Sequence, residues 1–288
     1  MRSIATVNFK GGVGKTTITW LLAKYLSEIA KKKILVFDID AQMSLTLAVQ
    51  LQENGSMFDD FERWYENTHI GRNRTILNAL ERFDIRQRRH FDFPIDYTFI
   101  FQMTDNLHFV PSVVDLYWLE LEVFDRANVQ NFIYALLDKI RYARGFQYDY
   151  VFFDCPPNFT ALSYSVLNCV DLILIPLNPD VFASRGVKLM LEGLRYRIAP
   201  WPDPDIAVFM NKARFYRGNL TQETMRYWNE AKSVCEQMQG EGVSIYPLDV
   251  FISEKMDIKR AIPGGYFPND YINDFQRLYE NIDRILQR

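Results

Sequence analysis

The chain has 288 residues, 48% of them apolar and 24% charged, with a formal net charge of −3. That is enough for a sizeable core in one α/β domain, or at most two small ones, with the balance of a globular rather than a disordered protein. The slightly acidic balance excludes a globally basic nucleic-acid binder but leaves room for a local basic patch.

The three cysteines, Cys155, Cys169 and Cys235, form no C-x-x-C pair and no even set. They argue against a disulfide scaffold or a local zinc site and suit a reducing cytoplasm. The opening "MRSIATVNF" reads as a strand rather than a signal peptide. No apolar run reaches the ~18 residues needed to span a bilayer. A cytoplasmic protein is expected.

In chain order, "SIATVNF" (3–9) is a β-rich run leading into glycines. "TTITWLLAKYLSEIAKK" then places Leu21, Leu22, Tyr25, Leu26 and Ile29 at helical spacing. "KILVFDID" (33–40) is a continuous apolar run ending in acids, as a strand buried on both faces would be. These three pieces make a βαβ unit. The stretch 53–100 is rich in charge and aromatics and too poor in aliphatics for a core of its own. It reads as an elaboration on the main domain, with "TILNALERF" helical.

"NLHFVPS" (106–112) returns to a strand, and 115–144 carry helical periodicity. "YDYVFFDCPP" (148–157) is a strand ending in an acid, "LSYSVLNCV" a helix, "DLILIPL" a strand and "SRGVKLMLEGLRYRI" a helix. "DIAVFMNK" and "GVSIYPLDV" supply two more strands, and about 270–286 form a last helix with Tyr271, Phe275, Leu278, Ile282 and Ile285 on one face. The alternation predicts a single α/β domain over 1–288, a doubly wound and mainly parallel sheet flanked by helices.

"FKGGVGKTT" (9–17) carries the chemistry. The usual phosphate loop is G-x-x-x-x-G-K-[ST]. Here Gly14-Lys15-Thr16 fit, but Phe9 stands where the first glycine would fall and Lys10 precedes Gly11, Gly12 and Val13, so the loop is a deviant one. Glycines let successive N–H groups face phosphate oxygens at a helix N-terminus. Lys15 is expected to reach the β- and γ-phosphates, the Thr16 hydroxyl to ligate Mg²⁺, and Thr17 to touch the α-phosphate. Asp154 closes "VFFD" and suits a metal-supporting acid, while Asp38 and Asp40 close "LVFDID" on one side of a strand. Open α/β sheets bind ligands at the carboxyl ends of their strands, so all three acids should converge on the loop.

With these residues the chain resembles the ParA/MinD superfamily of deviant Walker A P-loop ATPases, and the ParA branch in particular. The stretches that carry the resemblance are "KGGVGKTT", "ILVFDIDAQMSLT", "NLHFVPSVVDL", "YDYVFFDCPPNFTALSYSVLNCVDLILIPLNPDVFASRGVKLML" and "IYPLDVFISEKMDIKRAI". The resemblance implies ATP and Mg²⁺ as cofactors, slow hydrolysis that a partner stimulates, and an ATP-bound homodimer. Lys10 matches the signature lysine that touches the partner's nucleotide. Asp40 matches the acid that orients the attacking water, and Asp38 one that supports the magnesium. Asn211 and the loop after Pro247, with Leu248 and Val250, match the adenine-side contacts. "CPPNFTALS" matches a switch segment.

ParA-like relatives bind DNA without sequence preference, and MinD-like relatives bind membrane through a basic C-terminal helix. The tail here mixes Asp270, Asp274, Glu280 and Asp283 with Arg277, Arg284 and Arg288, whereas a membrane-surface helix has a Lys/Arg-rich polar face. For DNA, the stretch 185–217 offers Arg185, Lys188, Arg195, Arg197, Arg214 and Arg217, and a second group is Lys255, Lys259 and Arg260. Contacts of this kind are non-specific and salt-sensitive. The expectation is a partition or positioning ATPase, cytoplasmic and nucleoid-associated, working with a ParB-like adaptor on a plasmid, chromosome or protein organelle such as a carboxysome. Alternatives are a MinD-like membrane-associated ATPase, an iron–sulfur reductase subunit and a small-molecule ligase on the same scaffold.

Overall fold

The computed structural model describes residues 1–54, 75–81, 100–117, 126–142, 147–197, 204–262 and 265–288, with Arg63 and Glu66 besides. Most of the 53–100 elaboration lies outside the described residues.

The chain runs β1 (Arg2–Thr6), α1 (Lys15–Lys24, continued by a π turn over Tyr25–Ile29), β2 (Ile34–Asp38), α2 (Ser44–Asn54) and α3 (Ile76–Glu81). Then come β3 (Phe101–Gln102), β4 (Leu107–Val110), a 3₁₀ turn (Val114–Tyr117), α4 (Arg126–Tyr142), β5 (Tyr150–Asp154), α5 (Ala161–Leu167) and β6 (Leu172–Leu177). The last third is α6 (Ala183–Arg197), β7 (Asp205–Ala213), β8 (Phe215–Tyr216), β9 (Asn219–Leu220), α7 (Gln222–Gly240), β10 (Ile245–Ser253), α8 (Met256–Ala261) and α9 (Ile272–Leu286).

Among the described residues the main sheet has eight strands in the order β10-β7-β6-β1-β5-β2-β4-β3. All neighbours are parallel except β3, which runs antiparallel to β4 at one edge. This is the doubly wound parallel sheet expected from the alternation of apolar runs and helical stretches. Side chains alternate across the pleat, and both faces are covered. Ala5, Phe37, Phe153 and Ile173 enter one cluster with α4, α5, α6 and α7. Ile4, Val36, Phe152 and Leu174 enter another with α1, α2 and α9.

Helix α7 has no counterpart in the chain-order reading, although its signal is present in the sequence. Thr221 caps it by accepting from Thr224 N–H, and Thr224, Trp228, Ala231, Cys235 and Met238 are buried at helical spacing. The polar residues between them mask that stripe. The β8–β9 hairpin is equally unforeseen; its turn residues Arg217 and Gly218 have φ of 50° and 82°, the pairing that a tight type I′ turn requires.

Candidate nucleotide site

The register of the sheet builds the site. Thr6 of β1 and Asp38 of β2 both lie opposite Asp154 of β5. Two carboxylates are therefore held side by side at the carboxyl edge, below the loop that joins β1 to α1. That loop is tied down from within: Asn8 accepts from the Lys10 N–H at 2.9 Å and donates to the Pro176 carbonyl at 2.9 Å. Gly14 stands at the N-terminus of α1 with φ 91° and supplies no side-chain cap. The first amides of the helix are left for an anion.

A cavity of about 520 Å³ opens over this helix end, lined by Gly11, Gly12, Gly14, Lys15, Thr16 and Thr17 from the loop and by Asp40 and Gln42 from the β2 edge. Its far end is walled by Asn211, Lys212, Ser253, Glu254, Ile258 and Ile262. Lys15 is buried, its ammonium donating to the Asn8 carbonyl at 3.0 Å. Burial lowers its pKa, opposed chiefly by the charge of Asp154.

The three acids have distinct surroundings. Asp154 is buried, and neither of its carboxylate oxygens has a hydrogen-bond partner. Thr16 lies near enough to favour its charged form, but burial and the charge of Asp38 hold its pKa well above the carboxylate range. A buried carboxylate with both oxygens open, beside a threonine hydroxyl that lines the cavity, is the donor set that Mg²⁺ takes in a triphosphate site. The residues therefore fit the metal. Asp40 lines the cavity itself, accepts from Gln42 N–H at 2.9 Å, and has its pKa raised by burial.

Asp38 is placed otherwise. It is completely buried and accepts three hydrogen bonds, from Asp40 N–H (3.1 Å), Thr46 N–H (2.8 Å) and Thr46 Oγ1 (2.7 Å). Burial lifts its pKa to about 7 despite these donors. With both oxygens engaged, it is less open to a metal or a water than Asp154 or Asp40.

At the base end, Asn211 donates its side-chain amide to the Val13 carbonyl at 2.7 Å. It thus braces the loop from β7, a role its place in "FMNK" does not disclose. The expectation for Pro247, Leu248 and Val250 is corrected. No loop follows Pro247: β10 runs on to Ser253, and Leu248 and Val250 are buried in the core. Alternating apolar residues prolong the strand, and the cavity wall is supplied instead by Ser253 and Glu254 at its end and by Ile258 and Ile262 beyond.

Lys10 does not line this cavity. It lines an adjoining groove with Phe9, Val13, Asp180, Phe182, Gly186 and Leu189. Its ammonium is bound to the Asp180 carboxylate and lies 5.4 Å from the centre of the Phe182 ring. Phe9 meets Phe159 of the expected switch segment edge to face, with centroids 4.3 Å apart. Of the basic residues singled out above, Arg185, Lys188 and Arg260 are exposed. Arg214 pairs with Glu223 at 2.9 Å, Arg217 lies over the Tyr216 ring, and Lys255 pairs with Asp270 at 3.3 Å. The side chains of Arg195, Arg197 and Lys259 lie outside the described residues.

Fold and site together define a P-loop nucleoside-triphosphate-binding protein of the deviant Walker A class. Residues 1–198 match a family profile described as an AAA domain. The chain is 26% identical over 197 residues to a virulence-plasmid ParA family protein of Chlamydia psittaci, a match that covers 67% of this chain and 62% of that protein. It is 25% identical over 197 residues to the sporulation initiation inhibitor Soj of Bacillus subtilis, covering 67% of this chain and 64% of Soj. The match thus spans under two thirds of these relatives' length.

Among solved structures, McdA(D38A) of Cyanothece with ATP superposes with a TM-score of 0.72 at 19% identity, over 100% of this chain and 96% of that one. A plasmid partition protein of Borrelia burgdorferi bound to AMPPNP gives 0.66 at 22%, over 98% of both chains. A pNOB8 ParA bound to nonspecific DNA gives 0.65 at 20%, over 98% of this chain and 99% of that one. The chain belongs to the AAA domain family and is similar to ParA and Soj proteins.

Proposed function

We propose that this protein is an ATP-dependent dimerising ATPase that binds DNA non-specifically in its ATP state and, with a ParB-like adaptor, segregates or positions a cargo on the nucleoid. The observation that carries the reading is the separation of the two loop lysines. Lys15 faces its own cavity, whereas Lys10 faces a groove next to it whose rim is apolar and exposed, with Phe182 61% and Leu189 65% accessible. A second copy docked on that rim would bring its own Lys10 towards the first copy's γ-phosphate, and the triphosphate would favour the dimer by its difference in affinity for the two states.

In the hydrolytic step Lys15 holds the β- and γ-phosphates, the loop amides hold the remaining oxygens, and Asp40 orients water. Thr16 and Asp154 would hold magnesium, which would supply positive charge against the triphosphate. Asp40→Ala should lower hydrolysis by about 100-fold while keeping ATP bound. Basic residues on α6 and the β8–β9 hairpin, with exposed Phe215 and Tyr216, are the surface proposed for DNA.

A membrane-binding role is less well supported. No helix among the described residues is long and apolar enough to cross a membrane, and the apolar face of α9 (Phe275, Leu278, Ile282, Ile285) is buried on the sheet. The experiment is retention of the protein on DNA with ATP, ADP or no nucleotide, at two salt concentrations. ATP-specific, salt-sensitive retention is expected; equal retention in all three states would sink the switch.

A further inference from the structure

A closed circuit of buried hydrogen bonds surrounds the backbone of Asp40. The Asp40 N–H donates to Asp38 Oδ1 at 3.1 Å, and the Asp40 carbonyl accepts from Ser112 Oγ at 2.8 Å. The Ser112 N–H donates to Thr46 Oγ1 at 2.9 Å. Thr46 returns the circuit to Asp38, its hydroxyl and its N–H both donating to Oδ2 at 2.7 and 2.8 Å. Asp38, Thr46 and Ser112 are each 0% exposed. The circuit joins the end of β2, the first turn of α2 and the residues just after β4; β2 and β4 pair in parallel, and the Asp40 carbonyl also accepts from Met43 N–H at 2.8 Å.

The direction of each bond is fixed by its partners. An ionised carboxylate and a peptide carbonyl only accept, so with Asp38 ionised the Thr46 hydroxyl proton goes to Asp38, and the Ser112 hydroxyl proton goes to Asp40. The oxygen of Thr46 is then left to accept the Ser112 amide. Removing the hydroxyl at 46 strips Asp38 of a donor and orphans a buried N–H at once, a larger disturbance than the loss of one bond.

We propose that Thr46 and Ser112 are positioning residues for hydrolysis: they clamp both polar backbone atoms around Asp40, directly or through Asp38, so that its carboxylate meets the attacking water in a fixed pose. This rests on the reading of Asp40 as the water-orienting acid. Neither residue lines the cavity, so their effect belongs to the chemical step and not to ATP affinity. A displacement of about 1 Å in such a group costs on the order of 100-fold in rate.

The test compares Thr46→Val, which keeps the shape without the hydroxyl, with Thr46→Ser, which keeps the hydroxyl, and with Ser112→Ala. Single-turnover hydrolysis is measured together with the KM for ATP. Amide exchange of the 38–47 segment is followed in the nucleotide-free protein. Thr46→Val and Ser112→Ala should each lower kcat at least about 10-fold with KM within about twofold, and the double variant should fall no further than the worse single one. Thr46→Ser should restore kcat, and exchange should quicken in Val and Ala but not in Ser.

An unchanged kcat in Thr46→Val, an equal loss in Thr46→Ser, or unaltered exchange overturns the proposal. If Thr46→Val does not fold, Ser112→Ala decides, since it removes only the bond to the Asp40 carbonyl. If the wild-type protein hydrolyses no ATP, the proposed function falls, and the exchange measurement still decides whether the circuit holds Asp40.

Discussion

Lys10 is bound to Asp180 of its own chain. Asp180 also accepts from Phe182 N–H at 3.0 Å, so the same carboxylate holds the start of α6. A lysine meant for a partner's phosphate must leave this site first. Both side chains are partly exposed, 42% and 31%, and a pair so placed contributes about 0.2–1 kcal/mol. Two protomers each release one, which is a factor of roughly 2–30 in the dimer constant. Asp180→Asn keeps the acceptor for Phe182 and removes the charge. It should dimerise at a lower ATP or protein concentration by that factor, measured by sedimentation; an unchanged threshold would show that the pair does not restrain Lys10. Lys10→Ala should abolish ATP-dependent dimerisation and leave the fold intact.

Gly186 sits within α6 at the rim of the same groove, and a Cβ there would meet nothing within 4 Å. Glycine inside a helix costs about 1 kcal/mol relative to alanine, and no close approach among the described residues requires it. Gly186→Leu should therefore leave the monomer folded, with its melting temperature unchanged or raised, and block the ATP dimer. A variant that dimerises normally would remove this face of α6 from the interface.

Gly14 is constrained twice. Its φ of 91° is one that side chains rarely adopt, and an added Cβ would lie 2.4 Å from Asn211 Nδ2. Gly14→Ala should destabilise by about 2–4 kcal/mol and lose nucleotide binding, by calorimetry and thermal melting. Asn211→Ala in the same chain should recover part of the stability, because the clash goes while the strain in φ stays. Full additivity of the two changes would mean that Asn211 does not meet Gly14.

Much of this site is legible in the amino-acid sequence. The glycine spacing and the acids at the ends of apolar runs are enough to place Lys15, Thr16, Asp40 and Asp154, because parallel strands deliver their carboxyl ends to one edge. Asp38 is harder. Its identity suggests a metal acid, but its carboxylate is engaged by Thr46, which in turn accepts from Ser112; these lie 8 and 74 positions away and carry no local signature. The base end fails for a related reason. Leu248 and Val250 look the same in a strand or beside a nucleotide until the sheet shows where β10 stops. Helix α7 escapes notice because a stripe of Thr, Trp, Ala, Cys and Met is a faint apolar face.

Asp38, Asp40 and Asp154 all have raised pKa values in the folded state. The folded protein therefore binds protons more tightly than the unfolded chain. This contribution to stability is full below the ordinary carboxylate value of 3.8 and is lost as pH rises, for Asp38 through about 7. The nucleotide-free protein should melt lower at pH 8 than at pH 5.5, and Mg²⁺ with nucleotide should narrow the difference by compensating the acids.

Asp154→Asn removes one of these buried charges. At pH 8 it should raise the melting temperature of the nucleotide-free protein, by roughly 2–8 °C for ~1–2 kcal/mol, and flatten its dependence on pH. It should also abolish the extra stabilisation that Mg²⁺ adds to bound nucleotide. A variant that melts no higher than wild type would show that the buried charge is compensated in a way the nucleotide-free structure does not contain.

The in-register pairing of Thr6, Asp154 and Asp38 has a consequence for how errors in folding are exposed. Slip β5 by one residue so that Cys155 takes the edge position, and Asp154 falls into the place of Phe153, in the hydrocarbon between sheet and helices. The misassembled chain is then unstable and inert for the same reason. The layer that gives the molecule its cohesion also sets the alignment of the candidate site.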